Sequence, residues 1–143
     1  MARIEFHILS HAGNEARTRL ACQLIEQLYQ QQKSVFVQVG SESAALHLDD
    51  LLWTFKDQAF IPHEICTPDS PSVPLIKVLI GTDRSPTHVQ PNLINLTEHM
   101  PAQMEGVTHL IEIVDAEAAH KQAARERYKQ YRELGHQLET INH

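Results

Sequence analysis

The chain has 143 residues, of which 42% are hydrophobic, and its 12 lysines and arginines face 18 aspartates and glutamates for a formal net charge of −6 at pH 7. This size and composition predict one compact domain over residues 1–143. No segment approaches the roughly 18 consecutive apolar residues that a membrane span needs, and MARIEFHIL at the N-terminus alternates in polarity, unlike a signal peptide. We therefore expect a cytoplasmic protein without membrane contact.

Strand and helix patterns alternate along most of the chain. Residues 4–8 alternate as a first strand, and residues 14–32 form an amphipathic helix that precedes a second strand, SVFVQV. A second helix over residues 42–55 is followed by the short segment AFIPH, a Pro-rich loop over residues 67–74 and the strands KVLIG, LINL and THLIEIVD. This order predicts βαβ units, and hence an α/β domain whose mainly parallel sheet has helices on both faces.

The sequence contains no recognisable catalytic, nucleotide-binding or metal-binding motif. The turns SHAGNEAR and IGTDRSP hold one glycine each, so neither matches the glycine-rich loops that bind phosphates. The ten histidines are scattered and include no HExxH pair. Cys22 and Cys66 lie 44 positions apart and are predicted to be reduced core thiols. We expect a noncatalytic protein without cofactor or metal.

The second predicted helix carries a tryptophan on the side opposite its core face. The core face is formed by Ala44, Ala45, Leu48, Leu51, Leu52 and Phe55. Trp53 points about 180° away from these residues, with Leu46 beside it. Phe60, Ile61 and Pro62 follow closely and extend the apolar character. Either a neighbouring loop covers Trp53, or the side chain is left for a protein partner.

The segment KQAARERYKQYR, residues 121–132, concentrates the positive charge of the chain. It sums to +4, whereas the remaining residues sum to −10. The pattern predicts a helix with Asp115 as N-cap and Gly135 after its end. One face of this helix holds Lys121, Arg125, Tyr128 and Arg132, with Lys129 at its margin. A second stripe, suited to packing on the sheet, holds Ala116, Ala123, Arg127, Tyr131 and Leu134.

The basic face could simply be solvated, because cations near the C-terminus of a helix complement its dipole. Two features favour a binding site. Only Glu126 lies among the five cations, so ion pairs along the helix are nearly absent, and Tyr128 sets an aromatic ring beside the charges. These features predict a site for an acidic, partly apolar peptide. An alternative is direct binding of single-stranded nucleic acid by this helix, which a pI near 5.9 disfavours.

The blocks LDDLLWTFKDQAFIPH (residues 48–63) and ARERYKQYRELG (residues 124–135) resemble the chi subunit family of the bacterial DNA polymerase III holoenzyme. ACQLIEQLYQQQKSVFV, VLIG and LINL also fit, so the resemblance covers nearly the whole chain. It implies a Rossmann-like domain that serves the clamp loader as a noncatalytic accessory subunit. The implied partners are the psi subunit, which connects it to the clamp loader, and the acidic C-terminal tail of single-stranded-DNA-binding protein.

The resemblance also implies residues for both contacts. The tail site maps to Lys121, Arg125, Tyr128 and Lys129, with Arg132 on the same face. The psi interface maps to Trp53, Phe60 and Pro62. No function is implied for residues 67–91, and direct contact with nucleic acid is expected to be weak or absent.

Overall fold

A computed structural model describes residues 2–55, 60–66, 77–82, 91–101 and 104–143. The predicted Pro-rich loop at residues 67–74 lies outside these ranges, as does most of the 67–91 region. The described elements are β1 (Arg3–Ile8), α1 (Asn14–Gln30), β2 (Val35–Gln38), α2 (Glu42–Thr54), β3 (His63–Ile65), β4 (Val78–Gly81), β5 (Asn92–Asn95), β6 (His109–Val114), α3 (Ala118–Glu133) and β7 (Gln137–Asn142).

The seven strands form one parallel sheet in the order β3-β4-β2-β5-β6-β1-β7. This arrangement confirms the predicted α/β class and its Rossmann-like character. β7 was not predicted from the sequence; it follows α3, pairs with the outer side of β1 and forms one edge of the sheet.

The core lies in two layers, one on each face of the sheet. Residues of α1 and α2 pack with one set of strand side chains, including Val37, Ile80 and Ile111. On the other face, Ala124 and Tyr131 of α3 pack with a second set that includes Phe6. Neighbouring residues of a strand point to opposite faces, and helices cover both faces of the sheet. Every residue of β2 and β4 is therefore buried, and both strands consist mainly of apolar residues.

The end of α3 confirms the prediction, because Leu134 is the C-cap and Gly135 follows it with a positive φ of 87°, but the start of the helix and the position of Leu134 differ. The helix begins at Ala118 after Glu117, and Asp115 is not its N-cap. The Asp115 carboxylate instead accepts the backbone N–H groups of Glu117 and Gly13, each at 3.1 Å, and so joins the turn after β6 to the turn after β1. Leu134 lies beyond the end of the helix and is 65% exposed, so it does not pack on the sheet as predicted.

A buried polar network attaches α3 to the sheet. Glu112 of β6 is fully buried, and its carboxylate accepts hydrogen bonds from Tyr131 Oη at 2.5 Å and from Asn95 Nδ2 at 3.1 Å. Arg127 Nη2 lies 3.3 Å from the same carboxylate, and Arg127 Nη1 donates to the Glu98 carbonyl at 2.7 Å. Burial raises the pKa of Glu112, and the charge of Arg127 opposes that rise.

Both cysteines are free and buried, which confirms the predicted core thiols. Burial raises the pKa of Cys22 to about 12 and that of Cys66 to about 11, so neither thiol is a reactive nucleophile at neutral pH. Among the described residues, no helix combines the length and apolar character needed to cross a bilayer.

Arg127→Met is expected to lower the free energy of unfolding by about 3 kcal/mol, because it leaves the Glu112 carboxylate buried without its cation. Urea denaturation followed by circular dichroism measures this loss. The double variant Glu112→Leu/Arg127→Met removes both charges and should be more stable than Arg127→Met alone. A single variant within about 0.5 kcal/mol of the parent would show that the network does not stabilise the fold.

Candidate functional site

A groove of about 280 Å³ lies between α3 and the strands β1, β6 and β7. Its walls are Phe6, Ile8, Val114, Lys121, Ala124, Arg125, Tyr128 and Thr140. Three of the five residues predicted for the basic site therefore line one concave surface. Lys129 and Arg132 are exposed on α3 but do not line the groove. Thr140 was not predicted as a site residue because it lies on β7, a strand that the sequence pattern did not indicate.

The groove combines two cations with an apolar floor. Within the part of the chain that the structure describes, neither Lys121 nor Arg125 makes an ion pair or side-chain hydrogen bond. Phe6, Ile8 and Val114 supply the floor. The ring of Tyr128 is half-buried against Phe6, with the two ring centres 5.4 Å apart. The site can thus hold a carboxylate beside a buried apolar group.

The orientation of α3 follows from its buried residues. Arg127 and Tyr131 are one turn apart and both reach Glu112, which fixes the rotation of the helix on the sheet. Lys121 and Arg125 are also one turn apart and are therefore directed to the groove rim beside Thr140. Ala124, between them, is 5% exposed and lines the groove, so a larger side chain at this position would reduce its volume.

His120 connects the first turn of α3 to two neighbouring carboxylates. Its Nδ1 lies 2.7 Å from Asp115 Oδ1, and its Nε2 lies 2.7 Å from Glu98 Oε1. The hydrogen bond to Asp115 raises the pKa of His120. Burial alone would raise the pKa of Asp115, but the hydrogen bonds that its carboxylate accepts from His120, Gly13 and Glu117 outweigh burial and lower it. Asp115, Glu117 and His120 each place one potential metal-ligand atom within 4.8 Å of the others. The hydrogen bonds to Asp115 account for this closeness without a metal ion.

The second candidate surface is an aromatic patch formed by Trp53, Phe60 and Pro62. Trp53 is 47% exposed and Phe60 is 67% exposed, with their ring centres 5.4 Å apart. His63 lies under Trp53 at a ring distance of 4.8 Å and is fixed by the Ile61 carbonyl, 2.7 Å from its Nδ1. Pro62 is partly buried, as expected for a residue at the border of the patch.

The patch confirms the sequence-based orientation of Trp53, because half of the side chain is open to solvent instead of being covered. Leu46, one of the residues placed beside it, is 60% exposed. The contact of His63 with Trp53 was not predicted, since a lone histidine after a proline gives no signal of a ring contact. An exposed aromatic cluster of this kind is typical of a protein interface.

The groove and the aromatic patch lie far apart in the topology of the sheet. The groove lies under α3 next to β7, which forms one edge. The patch is formed by α2, on the opposite face, and by residues next to β3, which forms the other edge. The two surfaces share no described residue.

A separate crevice of about 370 Å³ lies where Rossmann-like folds bind nucleotides, beside the residues that follow β2 and β5 and between the starts of α1 and α2. Its described walls contain no lysine or arginine. Nearby, the N–H of Gly13 is bonded to the Asp115 carboxylate instead of being available to a phosphate. The absence of nucleotide binding stays a prediction, which this arrangement favours.

The fold is a Rossmann-like domain that carries a basic groove and an exposed aromatic patch. The sequence model of the DNA polymerase III chi subunit matches residues 1–139, and the chain belongs to this family. A DNA polymerase III subunit chi from Pseudomonas aeruginosa is 33% identical over 139 residues, covering 97% of this chain and 95% of the relative.

Two further relatives bear the same name. The protein from Haemophilus influenzae is 30% identical over 138 residues, covering 96% of this chain and 95% of the relative. The protein from Escherichia coli is 28% identical over 128 residues, covering 90% of this chain and 86% of the relative. The match at these lengths confirms the resemblance found in the sequence.

His120→Gln is expected to change how stability depends on pH. The hydrogen bond to Asp115 raises the pKa of His120 above its ordinary value of 6.5. The stability that His120 contributes to the fold is therefore complete below pH 6.5 and is lost as the pH rises through the folded-state pKa. When the pH is raised from about 6 to about 8.5, the free energy of unfolding measured by urea denaturation should therefore fall less for the variant than for the parent. His47→Gln, at an exposed position of α2, is the matched control. An unchanged pH dependence in His120→Gln would contradict the assignment.

Proposed function

We propose that this chain is a noncatalytic accessory subunit of the DNA polymerase III clamp-loader complex, and that it connects the replisome to coated single-stranded DNA. In this proposal it binds the psi subunit through the aromatic patch and the acidic C-terminal tail of single-stranded-DNA-binding protein through the groove. Membership of the chi subunit family supports the role in DNA replication. The observation that carries the tail contact is the groove itself, with Lys121, Arg125 and Tyr128 over an apolar floor.

An acidic peptide that ends in an apolar residue matches the groove in both charge and shape. Arg125 and Lys121 pair with the carboxylates of the tail, including the terminal one, and the floor receives the terminal side chain. Exposed ion pairs contribute roughly 0.2–1 kcal/mol each, so charge alone gives weak binding. Burial of one large apolar side chain adds about 1.5–3 kcal/mol. These contributions sum to at most about 5 kcal/mol, so the micromolar dissociation constant that we expect, about −8 kcal/mol, also requires contacts along the rest of the tail.

Micromolar binding suits a contact that must exchange as replication proceeds. A strand coated with single-stranded-DNA-binding protein presents many tails, which raises the effective concentration near each groove. The cations Lys129 and Arg132 are exposed outside the groove, where they increase the positive potential that attracts an acidic chain. Direct binding of DNA is a weaker alternative, because the whole chain is acidic and Tyr128 is half-buried against Phe6 rather than open for base stacking.

The aromatic patch is the proposed psi interface. Trp53 and Phe60 are large exposed anchors, and His63 supports Trp53 from below. Anchors of this type carry much of the binding energy of protein interfaces. Because the patch and the groove lie on opposite faces and at opposite edges of the sheet, one molecule can engage both partners at once. This geometry is what a connecting subunit requires.

Arg125→Ala is expected to weaken binding of the tail peptide about tenfold or more, because a guanidinium can donate two hydrogen bonds to one carboxylate. Isothermal titration calorimetry measures the change, and parental affinity should fall as salt is added. Arg132→Ala, which removes an exposed arginine of the same helix from outside the groove, should cost about threefold or less. Equal losses in the two variants would indicate general electrostatic attraction rather than a site in the groove.

Trp53→Ala is expected to weaken the complex with psi by about 2 kcal/mol or more, since it removes a large interface anchor while the α2 core face stays intact. Titration with purified psi measures the loss, and circular dichroism checks folding. Binding of the tail peptide should be unchanged because the two sites share no contacts. An unfolded variant would show that Trp53 is a core residue, and equal loss of both partners would show that the sites are not separate.

A further inference from the structure

The outer edge of β7 carries backbone groups that no described strand uses. Gln137 N–H donates to the Ala2 carbonyl at 3.1 Å, and His143 N–H donates to the Ile8 carbonyl at 2.9 Å. Because alternate residues of a parallel strand bond to the same neighbour, the N–H and C=O groups of Leu138, Thr140 and Asn142 point away from β1. β7 is the last strand in the sheet order, and within the described residues nothing pairs with this side.

The strand is held firmly despite its position at the edge. At its start, Ala2 N–H donates to His136 Nδ1 at 3.0 Å. At its end, His143 stacks on His7 of β1, with His7 Nδ1 and His143 Nε2 2.9 Å apart. The open backbone groups are thus presented in a fixed geometry, which lowers the entropy cost of pairing with another strand. Thr140 and Asn142 are exposed, so a partner can reach them.

The open edge is continuous with the groove. Thr140 pairs in register with Phe6, and both side chains line the groove. Leu138, two residues earlier on the same face, packs against the core layer under α3. The residues whose backbone groups point outward are therefore the ones whose side chains face the α3 side. A peptide that entered the groove along β7 would contact the open backbone groups of this strand and the side chains of the groove at the same time.

We propose that the acidic tail binds by adding a parallel strand to the outer edge of β7, with its terminal residue in the groove. This inference rests on the proposed function of the groove. The direction follows from the positions of Ile8, Val114 and Lys121, which place the groove at the carboxyl ends of the parallel strands. A peptide whose C-terminus lies there and whose backbone follows β7 must run parallel to it. At about 3.3 Å per residue, the outward groups pair with roughly four or five peptide residues.

Charge favours an acidic peptide over a second copy of this chain. The groove-facing residues of β7 carry no carboxylate, because Glu139 lies on the opposite face by strand alternation. Lys121 and Arg125 are the charges that line the groove. Pairing two β7 edges would bring two such grooves together, and their like charges would repel.

Amide hydrogen exchange followed by NMR tests the proposal directly. The probe is a synthetic peptide rich in aspartate that ends in a large apolar residue with a free carboxylate. At saturating peptide, exchange at Thr140 and Asn142 should slow about tenfold or more, while Glu139 and Ile141, which already bond to β1, should change much less. Uniform protection along β7, or none at Thr140 and Asn142, would overturn strand addition.

Two substitutions at one position provide a second measurement. Thr140→Pro removes an outward N–H without breaking the ladder to β1, and proline is tolerated on edge strands. It should weaken peptide binding about five- to tenfold, whereas Thr140→Val keeps the N–H and should cost about twofold or less. Equal effects of the two variants would contradict the proposal. If Thr140→Pro fails to fold, the exchange measurement on the parent protein decides.

Failure of strand addition and failure of the tail site give different results. A peptide that binds the parent, loses affinity in Arg125→Ala and leaves Thr140 and Asn142 unprotected would overturn strand addition but not the tail site. A peptide that does not bind the parent at all would overturn both.

Discussion

The buried carboxylate of Glu112 is the feature on which the rest of the site depends. It lies in the middle of the sheet and is stable there only because Tyr131, Asn95 and Arg127 surround it with hydrogen bonds and an opposite charge. Two of these partners come from α3, so satisfying one buried charge fixes the rotation of the whole helix. The groove is the consequence, because the rotation that buries Arg127 directs Lys121 and Arg125 to the rim of the groove.

The same constraint separates the two candidate surfaces. Among the described helices, α3 packs on one face near β7, and α1 and α2 pack on the other, so a basic site on α3 and an aromatic site on α2 cannot merge. A single small domain thereby presents two separate surfaces of different chemistry. The basic one suits a weak, exchangeable and salt-sensitive ligand, and the aromatic one suits a more durable partner. This division fits the proposed connection between a clamp loader and a coated strand.

Much of this architecture could be predicted from local sequence. Period-two and period-3.6 patterns identified β1, α1, β2, α2 and the exposed Trp53, because each depends on one face of one element. β7 was missed because its apolar residues, Leu138 and Ile141, are three apart and one side of the strand is solvated. Glu112 gave no signal because a single charge in an apolar strand usually points to solvent, and only the return of Arg127 and Tyr131 explains its burial. Similarly, Asp115 was predicted as a helix cap from its residue type and its place before α3. Its bond to Gly13 gave no signal, because the two residues are distant in the chain. The groove was half predicted, since the sequence indicated the residues of α3 but not the strands that form its floor.

The most direct test of this account is a set of intermolecular nuclear Overhauser effects between the methyl groups of the protein and the apolar C-terminal residue of a bound acidic tail peptide. The account predicts contacts to Ile8, Val114 and Thr140, which surround the floor of the groove. Contacts confined to the surroundings of Lys129 and Arg132, or located in the crevice between α1 and α2, would contradict it.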